Sequence, residues 1–159
     1  YLDQIKYILD HHRYDQNRCN TDRWSTLEIA VVNYNTTSTL DTVKLLLKYS
    51  PKIKDALYII FFETDNQYEL VKLFMDHPNK DELIERFMDV CHDIELGASP
   101  EFIRAFEYVL QHIDIDYNKR YTGDMTITEL VARSNNPEII ELVNYYKDAS
   151  DMSVKCALE

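Results

Sequence analysis

Glycine and proline are nearly missing from this chain. Two glycines and four prolines in 159 residues leave few positions for the backbone of tight hairpins, which argues against an all-β fold. Long helices joined by polar turns are what remains. Cysteine is sparse as well. Cys19, Cys91 and Cys156 are odd in number and far apart, so no disulfide framework is implied, and a reducing, cytoplasmic setting is the simpler one. No apolar run nears the roughly 20 residues of a membrane span. The longest, ALYIIFF at 56–62, has the length of a buried helix segment. Positive charge is also in deficit. The formal net charge of −11 repels phosphate backbones and anionic lipid surfaces. The expectation is no nucleic acid and no membrane, and electrostatic steering favours a basic protein partner.

Site chemistry is equally thin. There is no C-x-x-C and no pair of histidines at helical i, i+4 spacing, so no metal is expected. His77 and His112 close apolar helical segments, where an imidazole complements the helix dipole. Cys91 and His92 are neighbours but would need ligands from elsewhere in the chain to hold a metal. No glycine-rich phosphate loop, nucleophile elbow or paired-carboxylate motif is present, and no cofactor is expected. Cys91 lies on an apolar stretch and reads as a small core residue. Cys19, between Arg18 and Arg23, is the one thiol whose neighbours favour a thiolate. The terminal CALE at 156–159 ends in Glu, a poor match to a prenylation box, and reads as a terminus with a vector remnant.

What is abundant is a recurring helical element. IKYILDH at 5–11, VKLLLKY at 43–49, VKLFMDH at 71–77, FEYVLQH at 106–112 and IELVNYY at 140–146 share one pattern. An apolar residue and a charged one open each segment, a bulky apolar run follows, and an aromatic or histidine closes it. Their starts lie 38, 28, 35 and 34 residues apart. A period of this size indicates stacked helical units that cannot bury their apolar faces alone. Each has an upstream companion: STLEIAVVNY at 25–34, IKDALYIIFFE at 53–63, ELIERFMDVCHDIE at 82–95 and ITELVARS at 127–134. The joints NTTST, TDNQY, LGASP and NNP offer Ser, Thr, Asn and Asp as helix caps, and Pro100 and Pro137 suit the first helical position. The spacing predicts about nine helices, a lone second helix followed by four pairs.

This pattern resembles the ankyrin repeat. The closest unit runs from Thr126-Ile127-Thr128-Glu129-Leu130-Val131-Ala132 through the polar turn at Ser134–Pro137 into Ile139-Ile140-Glu141-Leu142. Ser25-Thr26-Leu27-Glu28-Ile29-Ala30 is a second match. HIDIDYNKRYTGDM at 112–125 resembles the long loop between repeats, with Gly123 at its turn. Glu28 and Glu129 stand where the family carries histidine, and Thr26 and Ile127 where it carries proline. The step from Tyr49 to Ile53 leaves little room for a loop, and TTST before Leu40 reads as an insertion. The resemblance implies an all-α solenoid of four to five stacked helix-turn-helix units. Residues 1–148 form the array, with units at about 1–20, 21–52, 53–79, 80–120 and 121–148, and 149–159 form a tail or capping segment. The first unit is incomplete, and Tyr1 enters inside a helix pattern, so an upstream portion is expected.

Arrays of this kind bind proteins through loop tips and the inner face of the first helices, which points to Asp22, Arg23, Trp24, Tyr34, Arg120, Tyr121, Asp124 and Met125. Divergent members resemble those of large DNA viruses and intracellular bacteria, where they engage host proteins in the host cytosol. The function implied is a non-catalytic interaction module. Two other readings stay open: a substrate-recruiting or regulatory segment of a larger enzyme or ubiquitin-ligase adaptor, and a redox role for Cys19.

Overall fold

The computed structural model describes residues 1–11, 19, 24–49, 53–94 and 98–157, with the backbone alone for 154–157. His12, Arg18, Asp22, Arg23, the Tyr49–Ile53 joint, the start of LGASP and the last two residues therefore fall outside it wholly or in part.

Nine α-helices are present among the described residues: α1 (Leu2–His11), α2 (Thr26–Val32), α3 (Leu40–Tyr49), α4 (Ala56–Glu63), α5 (Gln67–Met75), α6 (Ile84–Asp93), α7 (Pro100–His112), α8 (Ile127–Arg133) and α9 (Pro137–Ala157). Short 3-10 turns at Lys80–Leu83 and Thr122–Asp124 lead into α6 and α8. No strand occurs among the described residues, only an isolated bridge between Tyr34 and Ser38. None of the helices is long and apolar enough to cross a membrane.

The helices pack in two rows. In one, α2 touches α4, α4 touches α6, and α6 touches α8; in the other, α1 meets α3, α5 meets α7, and α7 meets α9. The rows are tied together by α2 with α3, α4 with α5 and α8 with α9. Helix α4 lies in the middle of this arrangement, which is why ALYIIFF is apolar on every side: Ala56, Leu57, Ile59, Ile60 and Phe61 are all buried. A phenylalanine cluster joins the rows, with Phe61 against Phe102 and Phe87 against Phe106, each pair 4.8 Å between ring centroids. Such rings bury large areas and set the register of the helices carrying them.

Capping explains where the helices begin. Ser25 and Thr126 each accept from the backbone N–H three residues on, and Glu28 and Glu129 return the bond to the cap N–H, so both helices open with a capping box. The two glutamates that depart from the ankyrin pattern thus have a local job. Ser99 caps α7 ahead of Pro100, and Asn136 Oδ1 accepts from Ile139 N–H ahead of Pro137. The TDNQY joint behaves differently. Asn66 makes no side-chain cap, while Thr64 and Gln67 donate to the carbonyls of Ile60 and Phe61 at 2.9 and 3.0 Å. Here the polar joint satisfies the end of the preceding helix instead.

At the other end of the chain α9 passes through residue 148 without a break and runs to Ala157. The segment from 149 that reads as a tail or cap is a helical continuation.

Candidate functional site

Gly123 turns the loop that positions the candidate site. Its φ is +68°, and a Cβ there would meet the Met125 methyl at 3.0 Å, so glycine is the residue that fits. Asp124 follows at φ +58°, and the Tyr121 N–H closes the turn onto the Met125 carbonyl at 2.8 Å. Upstream, Ile113, Ile115 and Tyr117 are buried at alternate positions and pin the loop to the core. Burial pushes the Tyr117 phenol up to about 12. Asp116 Oδ1 then accepts from the N–H groups of Asn118 and Lys119 at 2.9 and 3.2 Å, a side-chain-to-backbone turn.

The pinned loop presents Lys119, Arg120, Tyr121 and Thr122 to α6 and to the segment just ahead of α4. Together with Lys54, Glu85, Arg86 and Asp89 they line a polar groove of about 390 Å³. The groove is lined by α6, by Lys54 just ahead of α4 and by the loop ahead of α8. Lys54 pairs with Glu85 at 2.6 Å, and Arg86 bridges Asp55 at 2.5 Å and Asp89 at 2.8 Å. Thr122 donates to Asp89 at 3.1 Å. Because Asp55 meets Arg86 and Tyr58 meets Asp93, the pairing advances in the same direction along α4 and α6. The two helices run parallel and put their N-terminal ends at the same edge.

Four cations, Lys54, Arg86, Lys119 and Arg120, line the groove, and three of them are paired: Lys54 with Glu85, Arg86 with Asp55 and Asp89, and Arg120 with Asp124 and Glu129. Lys54 and Glu85 hold each other in the charged state: the Lys54 ammonium is raised and the Glu85 carboxyl lowered by their shared hydrogen bond. Arg120 donates to the Asp124 carbonyl and stands 3.7 Å from Glu129. The Lys119 ammonium lies 5.2 Å from the centre of the Tyr121 ring. The Tyr121 hydroxyl donates to the Asp116 carbonyl at 3.2 Å, which fixes the ring. These ion pairs are solvent-exposed and individually weak, so a ligand can exchange them at little cost.

Of the eight residues picked out from the sequence, Arg120 and Tyr121 line this groove, and Asp124 and Met125 form the turn behind it. Trp24 is half-buried just ahead of α2, while Asp22 and Arg23 fall outside the described residues. Tyr34 lies apart, beyond the C-terminal end of α2, where its hydroxyl donates to Glu69 at 2.5 Å. Lys54, Glu85, Arg86, Asp89 and Lys119 escape a reading of single motifs. Their signal is a register: Asp55 and Arg86 are 31 residues apart, and Asp89 and Thr122 are 33 apart.

Reactive groups are placed elsewhere. Cys91 is fully buried, and desolvation raises its thiol well above the usual range, which leaves it unreactive. Cys19 is exposed. His11 and His112 turn Nδ1 to the carbonyls of Tyr7 and Tyr108, and His92 meets Asp93 at 2.7 Å. Among the described residues no three His, Cys, Asp or Glu side chains gather to hold a metal ion. No protein-family model, curated protein or solved structure matches the chain.

Proposed function

We propose that the chain is a protein-interaction module without catalysis of its own, built as an ankyrin-like solenoid that binds its partner at the edge where the first helices begin. The observation that carries this reading is the groove itself. It is assembled from three neighbouring units and edged by an outward loop turned at Gly123. A surface built from the same position of successive units is how repeat arrays make extended binding faces.

The partner is a protein with carboxylates that meet Lys119 and Arg120, while basic groups on its flanks suit the acidic remainder of the chain. Tyr121 is the anchor, a fixed ring with one polar end already satisfied. In keeping with the ankyrin resemblance, the partner is a host protein and the setting a host cytosol.

The test is capture from cytosol with the wild type, an Arg120→Glu/Tyr121→Ala double variant and a Trp24→Ala/Tyr121→Ala double variant, each checked for unchanged helicity. A discrete set of proteins is retained by the wild type and lost by the first variant. Identical sets from folded wild type and variants would remove the groove from the account.

A further inference from the structure

Of the serines and threonines in this chain, Thr122 is the one with basic residues both two and three positions ahead of it, Arg120 and Lys119. Charge patterns of this kind are what basic-directed protein kinases read in their substrates. The fold gives the pattern an accessible setting. Asn118, Lys119, Arg120, Thr122, Gly123 and Asp124 are all exposed at the tip of the loop, and exposed loop tips are where modifying enzymes reach a folded chain. Ser134, which also follows an arginine, is buried.

The Thr122 hydroxyl is also a structural tie. It donates to Asp89 Oδ1 at 3.1 Å, while Asp89 Oδ2 accepts from Arg86 at 2.8 Å and Arg86 reaches on to Asp55. This chain of bonds runs from the residue just ahead of α4, across α6, to the loop, and its last link is the hydroxyl proton of Thr122. Tyr117 and Ile127, both buried, hold the two ends of the loop, so its tip can part from α6 without disturbing the core.

We propose that Thr122 is a phosphorylation site, and that its phosphate detaches the Gly123 loop from α6. The transfer joins Thr122 Oγ to the γ-phosphorus of a nucleoside triphosphate as the bond to the nucleoside diphosphate breaks, and the hydroxyl proton passes to a base of the kinase. The product has no proton to give Asp89 and sets about 1.5–2 negative charges against a carboxylate. Arg86 is already shared between Asp55 and Asp89, so it offers the phosphate no free donor fork. Repulsion takes the place of the hydrogen bond, and the loop tip moves off α6. The consequence rests on the interaction reading above. The phosphate lies two and three residues from Arg120 and Lys119 and neutralises the cations that meet a partner's carboxylates, so the modified chain releases its partner.

The test incubates the full chain with labelled ATP and a serine/threonine kinase selective for basic residues at those two positions. Phosphate enters at Thr122, mapped by mass spectrometry. Lys119→Ala/Arg120→Ala slows its entry there at least about tenfold, and Lys119→Arg/Arg120→Lys keeps the rate. Hydrogen exchange then compares the modified and unmodified chains. Amides at 118–125 exchange about tenfold faster after phosphorylation, and Asp89→Asn, which leaves no charge to repel the phosphate, removes the difference. A wild type unmodified at Thr122, a rate indifferent to the two cations, or a phosphorylated loop that exchanges as before would each overturn the proposal. Capture from cytosol separates the two readings. An unmodified chain that captures nothing sinks the interaction reading alone, whereas equal capture with and without the phosphate removes the regulation.

Discussion

The Tyr58 hydroxyl donates to Asp93 at 2.9 Å, from α4 to the end of α6, across 35 residues of sequence. The same kind of bond recurs elsewhere in the array. Tyr34 donates to Glu69, Tyr146 to Glu107 at 3.2 Å, and Tyr49 to Asp10, with separations of 35, 39 and 39 residues. Four of the chain's 12 tyrosines make this tyrosine-to-carboxylate stitching among the described residues.

Tyr58→Phe removes one stitch while keeping the ring against Phe62. The expected loss is about 0.5–1.5 kcal/mol, read as a lowered midpoint in urea denaturation. Phe61→Ala, in the fully packed centre, lowers the same midpoint much further, by about 3–5 kcal/mol.

Asp93 makes the stitch pH-dependent. The His92 hydrogen bond, with the Tyr58 hydroxyl adding to it, holds its carboxyl below the usual range. A depressed carboxyl contributes stability that is present above its unfolded value and lost as pH falls through the folded one. Thermal midpoints of the wild type therefore drop as pH is lowered below the ordinary carboxylate range, and Asp93→Asn shows a shallower drop. Equal slopes for the two proteins would contradict this.

Tyr117 acts at the alkaline end. Its phenol is raised to about 12 by burial, so the folded state holds the proton more tightly than the unfolded chain. The stability this represents is intact below about 10, the unfolded phenol value, and is lost as pH climbs from there through the folded value. In the phenolate absorbance of the folded protein the latest-titrating tyrosine should disappear in Tyr117→Phe. Loss of an early-titrating group instead would contradict the burial.

Capping boxes predict a third set of effects. Ser25→Ala and Thr126→Ala each cost about 1 kcal/mol. Glu129→Gln keeps the return bond to Thr126 and costs less than Glu129→Ala. Urea midpoints for the four variants check the order.

Much of the helical layout is legible in the sequence. The faces Val43, Leu46, Leu47 and Leu70, Phe74 recur at helical spacing, and all five residues are buried; only Leu73 of that set stays half-exposed. Glu28 and Glu129 look like departures from a family pattern when compared with it. They are explained only when Ser25 and Thr126, three residues earlier, are read as their partners. The extension of α9 is hidden because residues after Tyr146 carry no sustained apolar period; the helix there continues from the packed turns before it. The groove is the least visible feature. Lys54, Arg86 and Lys119 lie far apart in the chain, ahead of α4, on α6 and in the loop ahead of α8, and nothing local to any one of them marks it. Only the spacing that stacks α4, α6 and the Gly123 loop at one edge brings them together.

The most direct test of the interaction reading is site-specific photo-crosslinking in cytosol, with the reactive side chain at Thr122 in the groove or at Arg104 on α7, where the guanidinium lies 3.7 Å over the Tyr68 ring. The account predicts a discrete protein adduct from position 122, weakened by Arg120→Glu, and none from position 104. Adducts of equal strength from both positions, or from 104 alone, would contradict it.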